Sequence, residues 1–301
     1  MNEVELVNAK EGADFNSENT IRCLDQGFVR LVDVMGDDSS IVQAARVSYG
    51  RGTKNVRQDK GLINYLLKHF HMSPFEMVEF KFHCKMPIFV ARQWIRHRTA
   101  SVNEISGRYS IMEDTVWMPT SSDLRQQAVI NRQGSLDDAI PEPANSETLA
   151  IYNSDIETVF KHYHEYMDKG VAREVARVTL PLSTYTEWYW KMDLHNLLHF
   201  LWLRLDQHAQ KEIRVYAEAI ATFVKRKCPY TWEAFEEHRL NSITLSRSEI
   251  EAVRKASAST NLLEKALEIR KMQLKEAGAS DVLITTELAE LRSKLTGKKI
   301  E

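Results

Sequence analysis

In the segment RHRTASVNEISGRYS, residues 96–110, Arg96, Arg98 and Arg108 stand among a histidine, a glutamate, an asparagine and serines, and no two apolar residues are adjacent. Such a segment gains little from core burial. Its guanidinium groups are permanently charged, planar donors that are costly to bury without anions. The nearby acids Glu104 and Glu113 are too few to neutralise them. The pattern suits an anionic small molecule such as a phosphate. The helix leading in, opened by Pro87 (PIFVARQWIRH), is apolar except on an arc of Arg92, Gln93, Arg96 and His97, with Phe89 among them. That arc faces either an internal salt-bridge network or a ligand. Its continuation into the donor-rich loop favours the ligand.

A second polar cluster lies downstream. GVAREVARVTLPL sets Arg173 and Arg177 four residues apart on one helical face, and DLHNLLHFLWLRLDQHAQ sets His195 above His199 and Arg204 above His208. The histidine pair invites a zinc reading, but the intervening NLL lacks the glutamate of a metalloprotease motif and no third ligand is evident, so no metal is expected. In one continuous helix the two pairs would point nearly opposite ways. Either the helix breaks near Asp206, or its two faces serve different ligand sites, as an oligomer interface would allow. Cys84 reads as the buried side of a strand, and Cys228, before a proline, as structural. Cys23, Cys84 and Cys228 are odd in number, far apart and without zinc spacing, which suits a reduced, cytoplasmic protein.

These groups need a scaffold, and 301 residues with 43% hydrophobic content and six Trp support a real core. The net charge of -2 argues against a whole-surface nucleic-acid or membrane binder. The acidic N-terminus lacks an apolar signal region, and no run approaches the roughly 20 apolar residues of a membrane span. Residues 1–26 read as a short extension, 27–240 as the main domain and 241–301 as an appended helical tail. The tail has no aromatic residue, proline or cysteine, and its spacing predicts two helices broken around Gly278. It is either a solvated tail or a docking and assembly element. Within the main domain, GFVRLVDVM reads as a strand and SSIVQAARVSY as a helix capped by Ser39 or Ser40. KGLINYLLKHF has helical spacing. VEFKFHCKM alternates, with Val78, Phe80, Phe82, Cys84 and Met86 facing one way and Glu79, Lys81, His83 and Lys85 the other. The polar insert 120–145 reads as a loop, followed by a long helix up to Gly170. STYTEWYWKM reads as a strand, and helix dominates from Leu194 to Lys227.

The run from Arg98 to Ser106 inside RHRTASVNEISGRYS resembles the signature of the flavin-dependent thymidylate synthases, the ThyX family. FVRLVDVMGDD, AARVSYG, HMSPFEM, FKFHCKMPIFVARQW, REVARVTLPLSTYTEW, HNLLHFLWLRLDQHAQ and CPYTWEAF look like the same family, in its order, over roughly residues 27–238. The resemblance implies an α+β fold, mainly an antiparallel sheet flanked by long helices, here with an extra C-terminal helical tail. It implies reductive methylation of dUMP to dTMP, with methylenetetrahydrofolate as carbon donor, FAD as hydride carrier and NADPH as reductant. It also implies a homotetramer whose active sites are shared between subunits. By the same resemblance, Gln93, Arg96, Glu104, Ser106, Gly107, Arg108, Arg177 and Arg204 would hold dUMP, with Arg177 reaching the phosphate from another subunit. Ser73, Arg96, His97, Arg98, Asn103, Glu104, Asp193, His195, His199 and His208 would contact FAD, and His71 would lie on the flavin's exposed side. The family often has asparagine at Asp193 and arginine at His195, and an aspartate would repel a pyrophosphate.

C5 of uracil is a weak nucleophile. A cysteine thiolate adding at C6 is one way to activate it, but the donor-rich segment holds no cysteine. The other way is electrostatic: a cation beside the ring stabilises charge as N3 loses its proton, and Arg204 is the catalytic candidate. Ser106 is a nucleophile only with a base beside it, and is preferred as a hydrogen-bond donor. No dinucleotide glycine fingerprint appears, so FAD would be held by this motif. Two rival readings remain at this stage: another flavin- and folate-dependent pyrimidine or RNA methylase, and a non-catalytic nucleotide-binding module. An assembly protein driven by the tail is a third.

Overall fold

The computed structural model describes residues 18–47, 56–128, 134–258 and 261–296. Ser48 and Tyr49, at the end of one helix reading, and most of the 1–26 extension lie outside these. The chain divides into two compact units, residues 1–241 and 242–301.

The first unit is built on one antiparallel sheet of β1 (Thr20–Cys23), β2 (Gly27–Met35), β3 (Glu79–Pro87), β4 (Ser101–Glu104) and β7 (Tyr185–Asp193), in the spatial order β1-β2-β3-β7-β4. The sheet therefore begins inside the stretch read as an N-terminal extension. The alternation of β3 is carried through: Val78, Phe80, Phe82, Cys84 and Met86 are all fully buried. The opposite face departs from expectation. His83 is only 5% exposed. It is bonded to Glu187 from β7, sits 3.0 Å from Arg30 of β2, and stacks on Tyr189 with ring centroids 4.6 Å apart. Cross-strand partners cover it there, which periodicity within one strand does not show.

The helices α1 (Asp38–Val47), α2 (Val56–Lys68), α3 (Ile88–Trp94), α4 (Ala144–Asp168), α5 (Arg173–Ala176), α6 (Leu194–Arg204), α7 (Lys211–Lys227) and α8 (Pro229–Phe235) complete the unit. The cap of α1 is Asp37, whose carboxylate takes the Ser39 backbone N–H at 2.8 Å; Ser39 and Ser40 lie just after it. Asp38, the first residue of α1, is buried and accepts from the Tyr230 and Thr231 backbones and the Thr231 hydroxyl, so it anchors the start of α8. The insert 120–145 is not all loop. It contains a small hairpin, β5 (Arg125–Gln127) with β6 (Ser135–Ala139). Its strands are short and polar, so no apolar alternation marks them. From Leu194 to Lys227 helix dominates as expected, and of the two alternatives the break near Asp206 is the one found: α6 and α7 are separated by a turn through it.

Trp94 is the centre of the core. It packs edge-on against Trp188 and Trp190 at 5.4 and 5.1 Å and stacks on Phe200 at 5.1 Å. Each such aromatic pair adds about 0.5–1.5 kcal/mol beyond area burial. It ties α3 to β7 and α6, and so fixes where the residues after Trp94 emerge.

The second unit holds three helices, α9 (Arg247–Ala258), α10 (Leu262–Glu276) and α11 (Asp281–Thr296), where two were expected. Gly278 is the left-handed break between the last two. Leu267, Leu274 and Ile284 form its buried seam. Among the described residues no helix is long and apolar enough to cross a membrane.

Candidate active site

α3 ends at the fully buried Trp94, and the chain then turns, with His97 N–H reaching back to Trp94 O at 3.0 Å. The turn lays the His97 ring edge-on against Phe200 at 5.0 Å. There His97 Nε2 accepts a hydrogen bond from Arg204 Nε at 3.1 Å, and the His199 ring lies 6.2 Å away. His199 and Arg204 thus converge on one neighbour instead of serving opposite faces. α6 stops at Arg204, whose guanidinium arm reaches the Nε2 edge of the His97 ring. Burial, the Arg204 charge and His199 together lower the His97 pKa to about 4, so the imidazole is neutral at pH 7 and free to accept. Burial also lowers the Arg204 pKa from its ordinary value, but a guanidinium starts so high that it stays charged.

Beside this pair, Gln93 donates to Gln210, which stands at the start of α7. The hairpin braces that start. Lys211 pairs with Asp123 at 2.7 Å, and Arg125 approaches the buried Glu212 at 3.8 Å. Between hairpin and turn lies a cleft of about 830 Å³, lined by Arg125, His208, Gln210, Lys211 and Arg214 among others. His208 itself is exposed and tied to Asp206 at 2.8 Å.

The loop after β4 forms a second group. Glu104 accepts from the Thr186 hydroxyl at 2.6 Å, while Asn103 on the other side of the strand is exposed. Ser106 Oγ accepts from the Arg108 backbone N–H at 3.3 Å, and among the described residues no histidine or carboxylate is bonded to it. The loop's exit is pinned where Met112 N–H donates to the buried Tyr163 hydroxyl of α4 at 3.0 Å. α5 holds it from the side: Arg173 donates to Tyr109 O at 2.7 Å, and Arg108 pairs with Glu174 at 3.0 Å. Arg177 packs so closely on Gly107 that a Cβ there would lie 3.0 Å from its Cδ. Gly107 is needed for that approach. Arg177 therefore meets the loop of its own chain. No hydrogen bond or ion pair among the described residues joins this group to the His97–Arg204 group.

The remaining candidates separate. Ser73 opens a short helical turn, Ser73–Met77, and is exposed, as are His71, Arg96 and Arg98. Arg96, Arg98 and Arg177 have no ion-pair partner among the described residues, which leaves three cations available to anions. Asp193 caps α6, with both carboxylate oxygens engaged by Asn196 at 2.9 and 2.8 Å. Its carboxylate thereby holds the helix start. His195 Nδ1 is buried without a partner among the described residues. Among the described residues no cluster of three or more histidine, cysteine or carboxylate side chains is set to hold a metal. The three cysteines are buried and unpaired, and burial pushes the Cys23 thiol up to about 12 and Cys84 and Cys228 well above the usual range. None offers a thiolate at neutral pH.

Sequence reasoning missed Gln210, Glu174 and the Arg125–Glu212 pair. Glu174 sits inside AREVAR beside the arginines that were noticed, but its partner Arg108 is 66 residues away. Gln210 follows His208 closely, yet only the fold brings it to Gln93.

A family model described as thymidylate synthase complementing protein matches residues 30–230. The flavin-dependent thymidylate synthase of Thermus thermophilus is 57% identical over 248 residues, 82% of this chain and 89% of that one. That of Rickettsia prowazekii is 51% identical over 269 residues, 85% of this chain and 92% of that one. A crystal structure of the UMP/dUMP methylase PolB from Streptomyces cacaoi, bound with 5-Br dUMP, superposes with a TM-score of 0.66 at 32% identity, over 74% of this chain and all of that one. With the match spanning β3, β4, β7, the loop after β4 and both arginine groups, the chain belongs to the flavin-dependent thymidylate synthase family.

Proposed function

We propose that this chain methylates dUMP to dTMP, using methylenetetrahydrofolate and NADPH with FAD as its cofactor, and without a covalent enzyme nucleophile. The carrying observation is the Arg204–His97 pair. A neutral imidazole holds a charged guanidinium at the core's edge, where it can meet a pyrimidine, while every thiol is buried and protonated. The unpartnered Arg96 and Arg98 and the orphaned His195 Nδ1 fit a ligand with phosphates and a polar ring, which supports Ser73, Arg96, His97, Arg98, Asn103, Glu104, His195, His199 and His208 as flavin contacts. Bound there, FAD would supply hydride to the transferred carbon. The chain's own residues do the rest. Gln93, Ser106, Gly107, Arg108 and Arg177 bind and orient the nucleotide, with guanidinium forks on its phosphate. Arg204 stabilises the negative charge left on uracil when N3 loses its proton, which raises electron density at C5. Ser106, without a base, donates a hydrogen bond.

The two residue groups are not bridged within one chain, and Val175, Val178, Leu182 and Tyr109 around Arg177 are all exposed. Both facts support a homotetramer whose sites combine groups from different subunits. The buried, unpaired cysteines support a cytoplasmic setting.

Arg204→Ala tests the reading. The variant should lose dTMP formation by at least about a hundredfold, while NADPH still bleaches the flavin. UMP run beside dUMP separates this activity from a broader pyrimidine methylase. Near-normal turnover would remove Arg204 from the chemistry, and a colourless protein that takes up no FAD would refute the reading altogether.

A further inference from the structure

The turn between α6 and α7 is fastened to the C-terminal end of α3 at two points. At one end of the turn Arg204 donates to His97, and at the other Gln93 Nε2 donates to Gln210 Oε1. The first contact holds the cation proposed to act on uracil. The second has no part yet in the chemistry. An exposed glutamine is ordinarily too mobile to orient a neighbour, because ordering its side chain costs entropy. Gln210 is exposed, but the backbone beneath it is held on both sides. It stands immediately before α7 with φ of −54° and ψ of 134°. Its carbonyl takes the Arg214 N–H at 3.1 Å, and the Arg214 guanidinium reaches on to Gln207 O at 3.0 Å. The next two residues run to the β5–β6 hairpin and its approach. Lys211 pairs with Asp123, which also accepts from the Thr120 N–H and hydroxyl at 3.0 and 2.7 Å, and the buried Glu212 faces Arg125. Consecutive residues thus tie the start of α7 to α3 on one side and to the hairpin on the other.

An amide side chain offers an oxygen on one side and N–H groups on the other, and a half-turn about its last bond exchanges them. The bond to Gln210 Oε1 settles that choice for Gln93. Its nitrogen is committed to Gln210, and its Oε1 is left to accept from an N–H or O–H of a bound nucleotide. We infer that Gln210 is a positioning residue for the nucleotide: it fixes which way the Gln93 amide is presented, and the hairpin fixes Gln210. The inference rests on reading Gln93 as a dUMP contact.

The test is calorimetry of dUMP on the full-length, flavin-loaded protein, with Gln210 changed to Met, Glu and Lys. Met keeps the length without a strong hydrogen-bonding group, Glu only accepts and Lys only donates. Gln210→Met should weaken dUMP about two- to tenfold, the range of one neutral hydrogen bond. Gln210→Glu should stay within about twofold of the parent, and Gln210→Lys should bind no better than Gln210→Met. That order is the reverse of what charge alone would give, since a lysine attracts the nucleotide's phosphate and a glutamate repels it. Flavin content and thermal midpoint should not follow it, because Gln210 is exposed. Gln93→Ala is the separate arm. If it leaves dUMP affinity unchanged, Gln93 is no nucleotide contact, and the inference falls with the reading beneath it. If Gln93→Ala weakens dUMP while the three Gln210 variants bind like the parent, weaken it alike or rank in the order of their charges, the inference alone is overturned.

Discussion

Protonating His97 must break its bond to Arg204, because the Nε2 that accepts the guanidinium N–H has no lone pair once charged. Burial, the Arg204 charge and His199 bring the His97 pKa from 6.5 down to about 4 in the folded chain. The unfolded chain keeps the ordinary value. Between about pH 4 and pH 6.5 the unfolded state therefore holds the extra proton, so stability falls as pH drops through that window and is level above it. At about 1.36 kcal/mol per pH unit, the change from 6.5 to about 4 sets a ceiling of about 3.4 kcal/mol. The ring is only partly buried and water screens the guanidinium, so roughly 1–1.5 kcal/mol is the expected share. In a protein this size that is about 2–6 °C in thermal midpoint. His97→Gln keeps an acceptor toward Arg204 but cannot titrate. Thermal unfolding of flavin-free parent and variant, at pH 4.5 and pH 7.5, should show the parent losing about 2–6 °C more than the variant on acidification. Parallel losses would mean that His97 is not held neutral by Arg204.

Three further outcomes follow from the same geometry. Gly107→Ala adds a Cβ about 3.0 Å from both Arg177 Cδ and Met112 Sδ. Both are flexible, so the fold should survive, but Arg177 must shift and dUMP affinity should fall about three- to tenfold by calorimetry; unchanged affinity would free Arg177 from the phosphate role. Ser106→Ala should lower activity without abolishing it, and mass spectrometry of the parent mixed with dUMP should find no adduct on Ser106, whereas a covalent adduct would overturn the electrostatic mechanism. A chain truncated after Asn241 should keep FAD content and dTMP synthesis, since every named site residue lies in the first unit. Loss of either, with the assembly mass unchanged by light scattering, would place part of the site in the tail.

What was legible in the sequence was what local spacing encodes. The two-residue period of β3 gave its buried face without error, and the left-handed Gly278 marked a real helix break. The arginine-rich loop stood out because so many donors cannot be covered by their neighbours. Features made by remote partners were not legible. The burial of His83 on the polar face of β3 is invisible in the strand's own spacing, because Arg30 and Glu187, which enclose it, belong to other strands. The acid that pairs with Arg108 is not among the loop's neighbours in sequence, because Glu174 arrives on α5. Neither glycine nor proline stands between the ends of α9 and α10, so no residue type in the sequence separates these two helices. Asp193, suspected on charge grounds, turned out to be a helix cap, a role that its position just before LHN would have suggested.

The order of strands also bears on how the chain is made. β3 pairs along its whole length with β7, from Glu79 with Asp193 to Pro87 with Tyr185. At roughly 5–20 residues per second, a ribosome needs about 5–20 s to deliver the second strand after the first. For that interval Phe80 and Phe82 stand on a strand that can pair with the earlier β2 on one side but is unpaired on the other. The wait of α1 is longer, since Asp38 meets Thr231, 193 residues later. The nascent chain is therefore most exposed to misassociation midway through synthesis, and slower translation at low temperature lengthens that exposure unless a chaperone covers the β3 edge.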